Sequence, residues 1–338
     1  MSPAPNEAEL VERALGGDRR AFDRLVAPYR RELHVHCYRM LASLHDAEDL
    51  VQESMLRAWR GLRTFRRESS IRAWLYKIAT NTCLNHLRRR PRLVVPADAA
   101  PPARPPVIEV SWLEPYPDAT IDPAESAVAK AETSLAFLCA VQMLPPLQRA
   151  VLILRDVLAF SAKETAGVLE TSPAAVNSAL QRARARLDAG VRSEPPLVER
   201  TPAPDEELLV RRFVRAWETA DIPALVALLA EDAVLAMPPA LLWFEGPSAI
   251  GGFLSTVPAE GHLETIPLVR TRANGRPAVA AYMPGDDPSR PDAYGIMVLT
   301  VEKGAISAIT GFADPDLFRV FELPTSLDRT RKPVRSRG

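Results

Sequence analysis

Between Arg57 and Arg92 the chain carries eleven basic residues and one acid, Glu68, interleaved with Trp59, Phe65, Trp74, Tyr76, Asn81 and Asn85. Cations at that density hold phosphates, while rings and amides among them stack on or read unpaired bases, a combination suited to single-stranded DNA. Trp59 and Trp74 also fall on apolar helix faces, which makes them candidates for the core. A second set of residues suits a duplex. Ser161–Leu169, the turn Glu170-Thr171-Ser172 and Pro173 to about Leu187 read as a helix-turn-helix, with Ser172 as N-cap and Pro173 in the first helical turn. Val176 and Leu180 point inward, which turns Ala174, Ala175, Asn177, Ser178 and Gln181 outward where such a helix meets base edges. Arg182, Arg184 and Arg186 follow as phosphate contacts, which position the protein without reading sequence. An αα-hairpin in a helical bundle shares this pattern. Such turns favour glycine at a left-handed residue, and Glu170 would cost roughly 1 kcal/mol there.

A third set is acidic: Asp46-Ala47-Glu48-Asp49-Leu50-Val51-Gln52-Glu53. Asp49 and Glu53 stand four apart, a like-charge spacing that costs about 0.2–0.5 kcal/mol on a helix. Tolerating it suggests a basic partner surface, with a solvated acidic face as the plain alternative. Asp46 is expected to cap this helix, with Asp49 as the capping acid.

These residues need scaffolds, and the chain divides accordingly. Its 338 residues allow about two or three domains. The formal net charge is zero, yet residues 1–92 hold 18 basic and 11 acidic side chains, while residues 193–338 hold 15 and 20. A polyanion-binding surface on an otherwise neutral or acidic protein follows. Residues 6–91 show apolar positions at helical spacing, including a helix from Ile71 to about Arg90 that stops at Pro91. Residues 92–124 form a proline-rich linker, with eight prolines between Arg92 and Pro123. Trp112, Leu113 and Tyr116 inside it are costly in a solvated tether, so this patch is expected to pack on protein. Residues 125–190 are helical again, with Ala131–Met143, a Leu144-Pro145-Pro146 break, a helix to Leu158, and the helix-turn-helix. Residues 205–325 change character: helices at Glu206–Thr219 and Pro223–Ala230 precede strand-like runs at 279–282, 295–301 and 305–312.

Composition narrows the classes further. No apolar run approaches the ~20 residues of a membrane span, and residues 1–12 lack a signal-peptide core. Cys37, Cys83 and Cys139 lack metal-ligand or disulfide-framework spacing and read as buried thiols in a reducing cytoplasm.

The run Asp46 to Arg60 resembles region 2.2 of the extracytoplasmic-function (ECF) sigma factors of bacterial RNA polymerase. Ala73-Trp-Leu-Tyr-Lys-Ile-Ala-Thr-Asn-Thr-Cys-Leu-Asn85 with Arg88-Arg89-Arg90 resembles their regions 2.3 and 2.4, and Leu144 through Arg186 resembles region 4. Asn85, where many members have Asp, and Glu170, where Gly is usual, depart from the pattern. The resemblance implies that Asp46, Glu48, Asp49, Gln52 and Glu53 meet the coiled coil of the polymerase β′ subunit. It implies that the loop from Phe65 to Ile71, with Arg66, Arg67, Ser69 and Ser70, captures a flipped base of the −10 element near Asn81, Arg88, Arg89 and Arg90. Ala174, Asn177, Ser178, Gln181, Arg182 and Arg184 would face the −35 element. Partners implied are core polymerase through β′ and β, promoter DNA, and an anti-sigma factor or small ligand at the third segment. Neither a metal, a cofactor nor a catalytic residue is implied, and no membrane partner.

Residues 205–325 resemble the SnoaL-like cone, on Glu206–Asp221, Ala224–Leu235, Met237-Pro-Pro and Gly246. This extension with a Trp-Leu-Glu-Pro linker is similar to the mycobacterial sigma-G-like group, and implies an in-chain regulator. The expected architecture is therefore multidomain: two all-α modules, sigma region 2 and the helix-turn-helix of region 4, plus an α+β SnoaL-like domain. Some SnoaL-like proteins are enzymes using a pocket carboxylate. Asp221, Asp232, Glu245 and His262 are the candidates here, beside an apolar pocket of Trp243, Phe244, Met237, Phe253 and Phe312. Each polar candidate reads more simply as a cap, turn or surface residue, and the apolar set as ordinary core. The rival functions are a metabolite-sensing helix-turn-helix regulator that never joins polymerase, and a DNA-binding module fused to an isomerase- or hydrolase-like domain.

Overall fold

Three side-chain caps organise the first helices. Asn6, Asp18 and Ser43 accept the N–H groups of Glu9, Ala21 and Asp46 at 2.8, 3.1 and 3.1 Å. They open α1 (Glu7–Leu15), α2 (Arg19–Val26) and α4 (Leu44–Gly61), while α3 (Arg30–Leu41) follows α2 after one 3₁₀ turn. The expected cap Asp46 is corrected to Ser43. Ala42 takes a left-handed φ of 57°, which closes α3 and leaves Ser43 extended with its hydroxyl over the next helix. Asp46 itself lies in the first turn of α4, where a carboxylate suits the helix dipole. The computed structural model describes residues 6–65, 70–89, 110, 112–120, 133–190, 204–240, 242–285, 287 and 289–328. It divides into two units, Met1–Ala100 with Ala140–Pro195, and Pro101–Cys139 with Pro196–Gly338.

In the first unit, α5 (Ile71–Arg89) buries Leu75, Tyr76, Ala79, Thr80 and Cys83, and packs on α3 and α4. The helix expected over Ala131–Met143 is observed as α6 (Leu135–Gln142), which begins in the residues of the second unit and ends in those of the first; Ser134 opens it, its hydroxyl accepting the Phe137 N–H at 3.2 Å. Residues 131 and 132 lie outside the described residues. Past the proline break, α7 (Pro146–Leu152) runs into a π-helical turn at Ile153–Val157 instead of continuing as one α-helix to Leu158. Then come α8 (Ala162–Leu169) and α9 (Pro173–Gly190). His36 sits fully buried on α3, its Nε2 2.9 Å from the Thr80 hydroxyl. Cys37, Cys83 and Cys139 are buried free thiols, as expected.

The second unit is α+β. α10 (Pro204–Glu218) and α11 (Ile222–Val226) precede β1 (Leu229–Ala236), β2 (Trp243–Glu245), α12 (Pro247–Leu254), β3 (Leu268–Ala273), β4 (Arg276–Met283), β5 (Asp292–Glu302), β6 (Ala305–Phe312) and α13 (Leu317–Val320). The six strands lie in the order β2-β1-β6-β5-β4-β3, with β1 and β6 parallel and every other pair antiparallel. The helix expected over Pro223–Ala230 ends at Val226. Leu229 and Ala230 enter β1, because pairing with β6 outweighs the helical preference of an Ala/Leu run. Phe213, Trp217, Ile250, Leu254, Leu299 and Ile309 fill the space between helices and sheet.

The aromatic linker patch docks where the sequence expected protein. Val110, Leu113 and Tyr116 are buried. Its receptor is the two-residue turn between β3 and β4, Asn274 (φ 56°) and Gly275 (φ 73°), whose left-handed backbone suits a tight hairpin. Asn274 donates its N–H to the Tyr116 carbonyl and accepts the Tyr116 N–H on Oδ1, both at 2.8 Å. Its Nδ2 donates to the Thr133 carbonyl at 2.6 Å. Asp118 accepts the Gly275 N–H at 2.8 Å and lies 3.4 Å from Arg272 Nε.

Asn274→Ala removes those side-chain bonds and puts a Cβ residue with no polar group in the left-handed region; the expected loss is about 2–4 kcal/mol in urea unfolding. Limited proteolysis at residues 110–118 should accelerate in parallel. Asn274→Gly, which keeps the turn, should lose less. Burial lowers the His36 pKa from 6.5 to about 3, with Arg39 and Arg72 adding to the effect. The unfolded chain therefore takes up a proton below pH 6.5 that the native chain refuses, so stability is full above that pH and falls as pH drops. From pH 6.5 to 5 the expected loss is roughly 2 kcal/mol, and His36→Gln should flatten the slope.

Candidate nucleic-acid interface

Three surfaces carry the residues singled out by chemistry. On α4, Ala47, Leu50, Val51, Ser54, Met55 and Ala58 are buried, so the helical period turns Glu48, Asp49, Gln52 and Glu53 to solvent. Asp46 stands apart, half-buried with its Oδ2 3.6 Å from His86 Nε2. The expected strain between Asp49 and Glu53 is relieved within the helix, since Arg57 Nη2 pairs with Glu53 at 2.5 Å across one turn. The argument for a basic partner therefore rests on Glu48 and Asp49. Leu56 adds an exposed apolar group to the same face. It rims a groove of about 200 Å³ with Phe22, Gln52, Met55 and Trp59, where Trp59 meets Phe22 edge-on at 5.2 Å. Trp59 and Trp74 are half-buried, and Trp74 packs 5.4 Å from Phe65.

On α5 the chemistry-bearing residues are not equally available. Arg88 and Arg89 are exposed in the last turn, where cations complement the helix dipole, and Arg88 donates to Asn85 Oδ1 at 3.3 Å. Ser70 caps α5 by accepting the Ala73 N–H at 3.1 Å. Asn81 is half-buried, its Nδ2 3.5 Å from the Val168 carbonyl, and Lys77 Nζ lies 2.9 Å from Glu170 Oε1. Arg72 grips Glu32 at 3.2 and 3.0 Å and stacks over Tyr76, while burial and Glu32 push the Tyr76 hydroxyl pKa up. Arg66, Arg67, Ser69 and Arg90 lie outside the described residues.

The helix-turn-helix forms as the sequence predicts. A reciprocal capping box of Ser161 and Glu164 starts α8, and its hydrogen bonds hold the Glu164 carboxyl below its ordinary range. Glu170 ends α8 in the left-handed region (φ 53°, ψ 48°), the conformation for which glycine was expected. Ser172 accepts the Ala175 N–H at 3.2 Å and opens α9. Val176, Ala179, Leu180 and Ala183 are buried, and Ala174, Asn177, Ser178, Gln181 and Arg182 stand exposed along one face. Arg184 is already engaged by Asp156, with Nε and Nη2 at 2.9 and 2.7 Å from the two carboxylate oxygens.

The candidate catalytic groups of the second unit are not brought together. Asp221 caps α11 by accepting the Ala224 N–H at 3.0 Å, Asp232 and Glu245 are exposed on strands, and exposed His262 pairs with Glu264 at 3.1 Å. Phe244 stacks on Phe253 at 4.5 Å, and both pack with Met237 against the core, so these three of the suspected lining residues are core packing. Sequence reasoning missed Leu56, Met143 and Leu147, whose exposures of 47, 61 and 51% make them the apolar surface of the first unit. Met143 and Leu147 flank the proline break, which separates two helices, so no helical period in the sequence marks them as one exposed face.

Residues 25–93 match the Sigma-70 region 2 family, residues 134–187 match Sigma-70, region 4, and residues 210–309 match the SnoaL-like domain. The chain is 43% identical over 336 residues to the ECF RNA polymerase sigma factor SigG of Mycobacterium tuberculosis, covering 95% of this chain and 89% of SigG. It is 34% identical over 182 residues to SigM of the same organism, covering 54% of this chain and 83% of SigM. The crystal structure of the M. tuberculosis extracytoplasmic function sigma factor SigJ is similar with a TM-score of 0.58 and 26% identity, covering 88% of this chain and 97% of SigJ. With helical regions 2 and 4 in order and an α+β cone after them, the chain belongs to the ECF RNA polymerase sigma factors that carry a SnoaL-like domain.

Proposed function

We propose that this chain, a transcription initiation factor and not an enzyme, acts as follows at the level of residues. In the cytoplasm it joins core RNA polymerase through Glu48, Asp49, Gln52 and Glu53 of α4, with Asp46 supporting the start of that helix. Ala174, Asn177, Ser178, Gln181 and Arg182 face the −35 element, and Arg184 reaches phosphate only after leaving Asp156. Ser70, Asn81, Arg88 and Arg89 belong to the −10 side, together with Arg66, Arg67, Ser69 and Arg90. Functional division follows the segments 6–91, 92–124, 125–190 and 205–325. Linking two modest DNA contacts through one tether raises their joint avidity. The observation that carries the reading is the joint exposure of an acidic helix face and of every base-reading position on α9 except the buried spacers.

The SnoaL-like domain regulates by holding the linker. Asn274, Asp118 and Arg272 grip the segment between the two DNA-binding modules. A shift in that grip changes how far apart the modules can reach.

Reversing Glu48 and Asp49 to lysine should weaken core polymerase binding at least tenfold, about 1.4 kcal/mol, measured by titration of labelled chain into core enzyme. A metabolite-sensing regulator that never joins polymerase would show no change. Removing residues 205–338 should alter promoter-dependent transcript yield while polymerase still co-elutes with the remaining chain. Identical yield from both chains would refute the regulatory role.

A further inference from the structure

The first unit contains a contact that the promoter-binding reading does not explain. Asn81, proposed for the −10 side, and Lys77 lie one turn apart on α5, yet both are engaged by the helix-turn-helix. Lys77 pairs with Glu170 at 2.9 Å, and Asn81 donates to the carbonyl of Val168. The packing around them is continuous. α8 lies against α5, Phe160 meets Tyr76 edge-on at 5.3 Å, and the Arg72 guanidinium sits 5.3 Å over the Phe160 ring.

Glu170 occupies a left-handed position in the turn, which is costlier for a glutamate than for glycine. What the glutamate supplies there is a carboxylate on Lys77, a cation one turn from Asn81 in the basic stretch 57–92. We infer that Glu170 is an intramolecular phosphate mimic: the helix-turn-helix latches onto α5 through Lys77 and Asn81 and shields part of the −10 surface until promoter DNA displaces it. The inference rests on the proposed DNA-facing role of α5. It assigns Glu170 a function distinct from the base-reading residues of α9, which stay exposed in the latched arrangement. The latch is reversible, because the Lys77 and Glu170 side chains are 39% and 70% exposed and such pairs are weak.

Two measurements on the full chain test it. In the first, the chain binds either a fluorescent single strand carrying the non-template −10 sequence of a promoter it transcribes, or the duplex −35 half of that promoter. Glu170→Gln and Glu170→Gly should each tighten single-strand binding by about two- to fivefold, the range an exposed ion pair supplies, and leave duplex binding unchanged. An equal gain on both DNAs, or none on the single strand, overturns the latch. In the second, a carbodiimide joins Lys77 to Glu170 without a spacer, and peptide mass spectrometry quantifies the linked pair. The link should form in the free chain and diminish in the open complex with polymerase and promoter; an undiminished yield in a transcribing complex overturns the latch. A chain that never opens promoter DNA counts against the promoter-specificity reading alone. In that case a generic fluorescent single strand replaces the promoter sequence, and the Glu170 variants still decide the latch.

Discussion

The helical unit depends on one buried guanidinium. Arg149, on α7, is 4% exposed, and an ion in that environment needs its donors met. Its Nη1 donates to the Met40 carbonyl and to Gln142 Oε1, and its Nη2 to the carbonyls of Gln142 and Leu144. Gln142 returns the connection through Nε2 to the Arg39 carbonyl at 3.2 Å. Arg39 and Met40 lie in the last turn of α3, where helix geometry leaves carbonyls without partners and the dipole favours a cation. One side chain from region 4 thereby finishes a helix of region 2, beside the separate contact of α8 with α5.

The consequence is an asymmetry between the two surfaces proposed to face DNA. α9 presents its reading face to solvent, while Lys77 and Asn81 on α5 are engaged. The acids of α4 are exposed in the same arrangement, so the face proposed for recruitment stays open while the face proposed for the −10 strand is partly engaged.

In the second unit the polar groups that suggest catalysis in isolation have structural occupations. Asp221 is a cap, Glu264 partners His262, and Phe244 and Phe253 pack in the core. The group that does most there is Asn274, three of whose hydrogen bonds reach the linker side of the unit. Among the described residues, the polar groups that stand out in this domain are occupied structurally, while Asn274 holds the segment around Tyr116.

Residue order alone determined whatever depends on short-range period and composition. The alternation of buried Val176 and Leu180 with exposed Asn177, Ser178 and Gln181 is helical geometry, readable without a structure. So was the cost of leaving Tyr116 and Leu113 in water, which anticipated their burial. Local competition between neighbours was harder: Ser43 outranked Asp46 as a cap only because Ala42 turned left-handed. The run Leu229–Ala236 became a strand only because β6 lay alongside it. Contacts between distant residues were decided by tertiary structure. Asn81 meets Val168 across 87 positions and Asn274 meets Tyr116 across 158, and no local pattern encodes which helix face or turn the folded chain will bring opposite another.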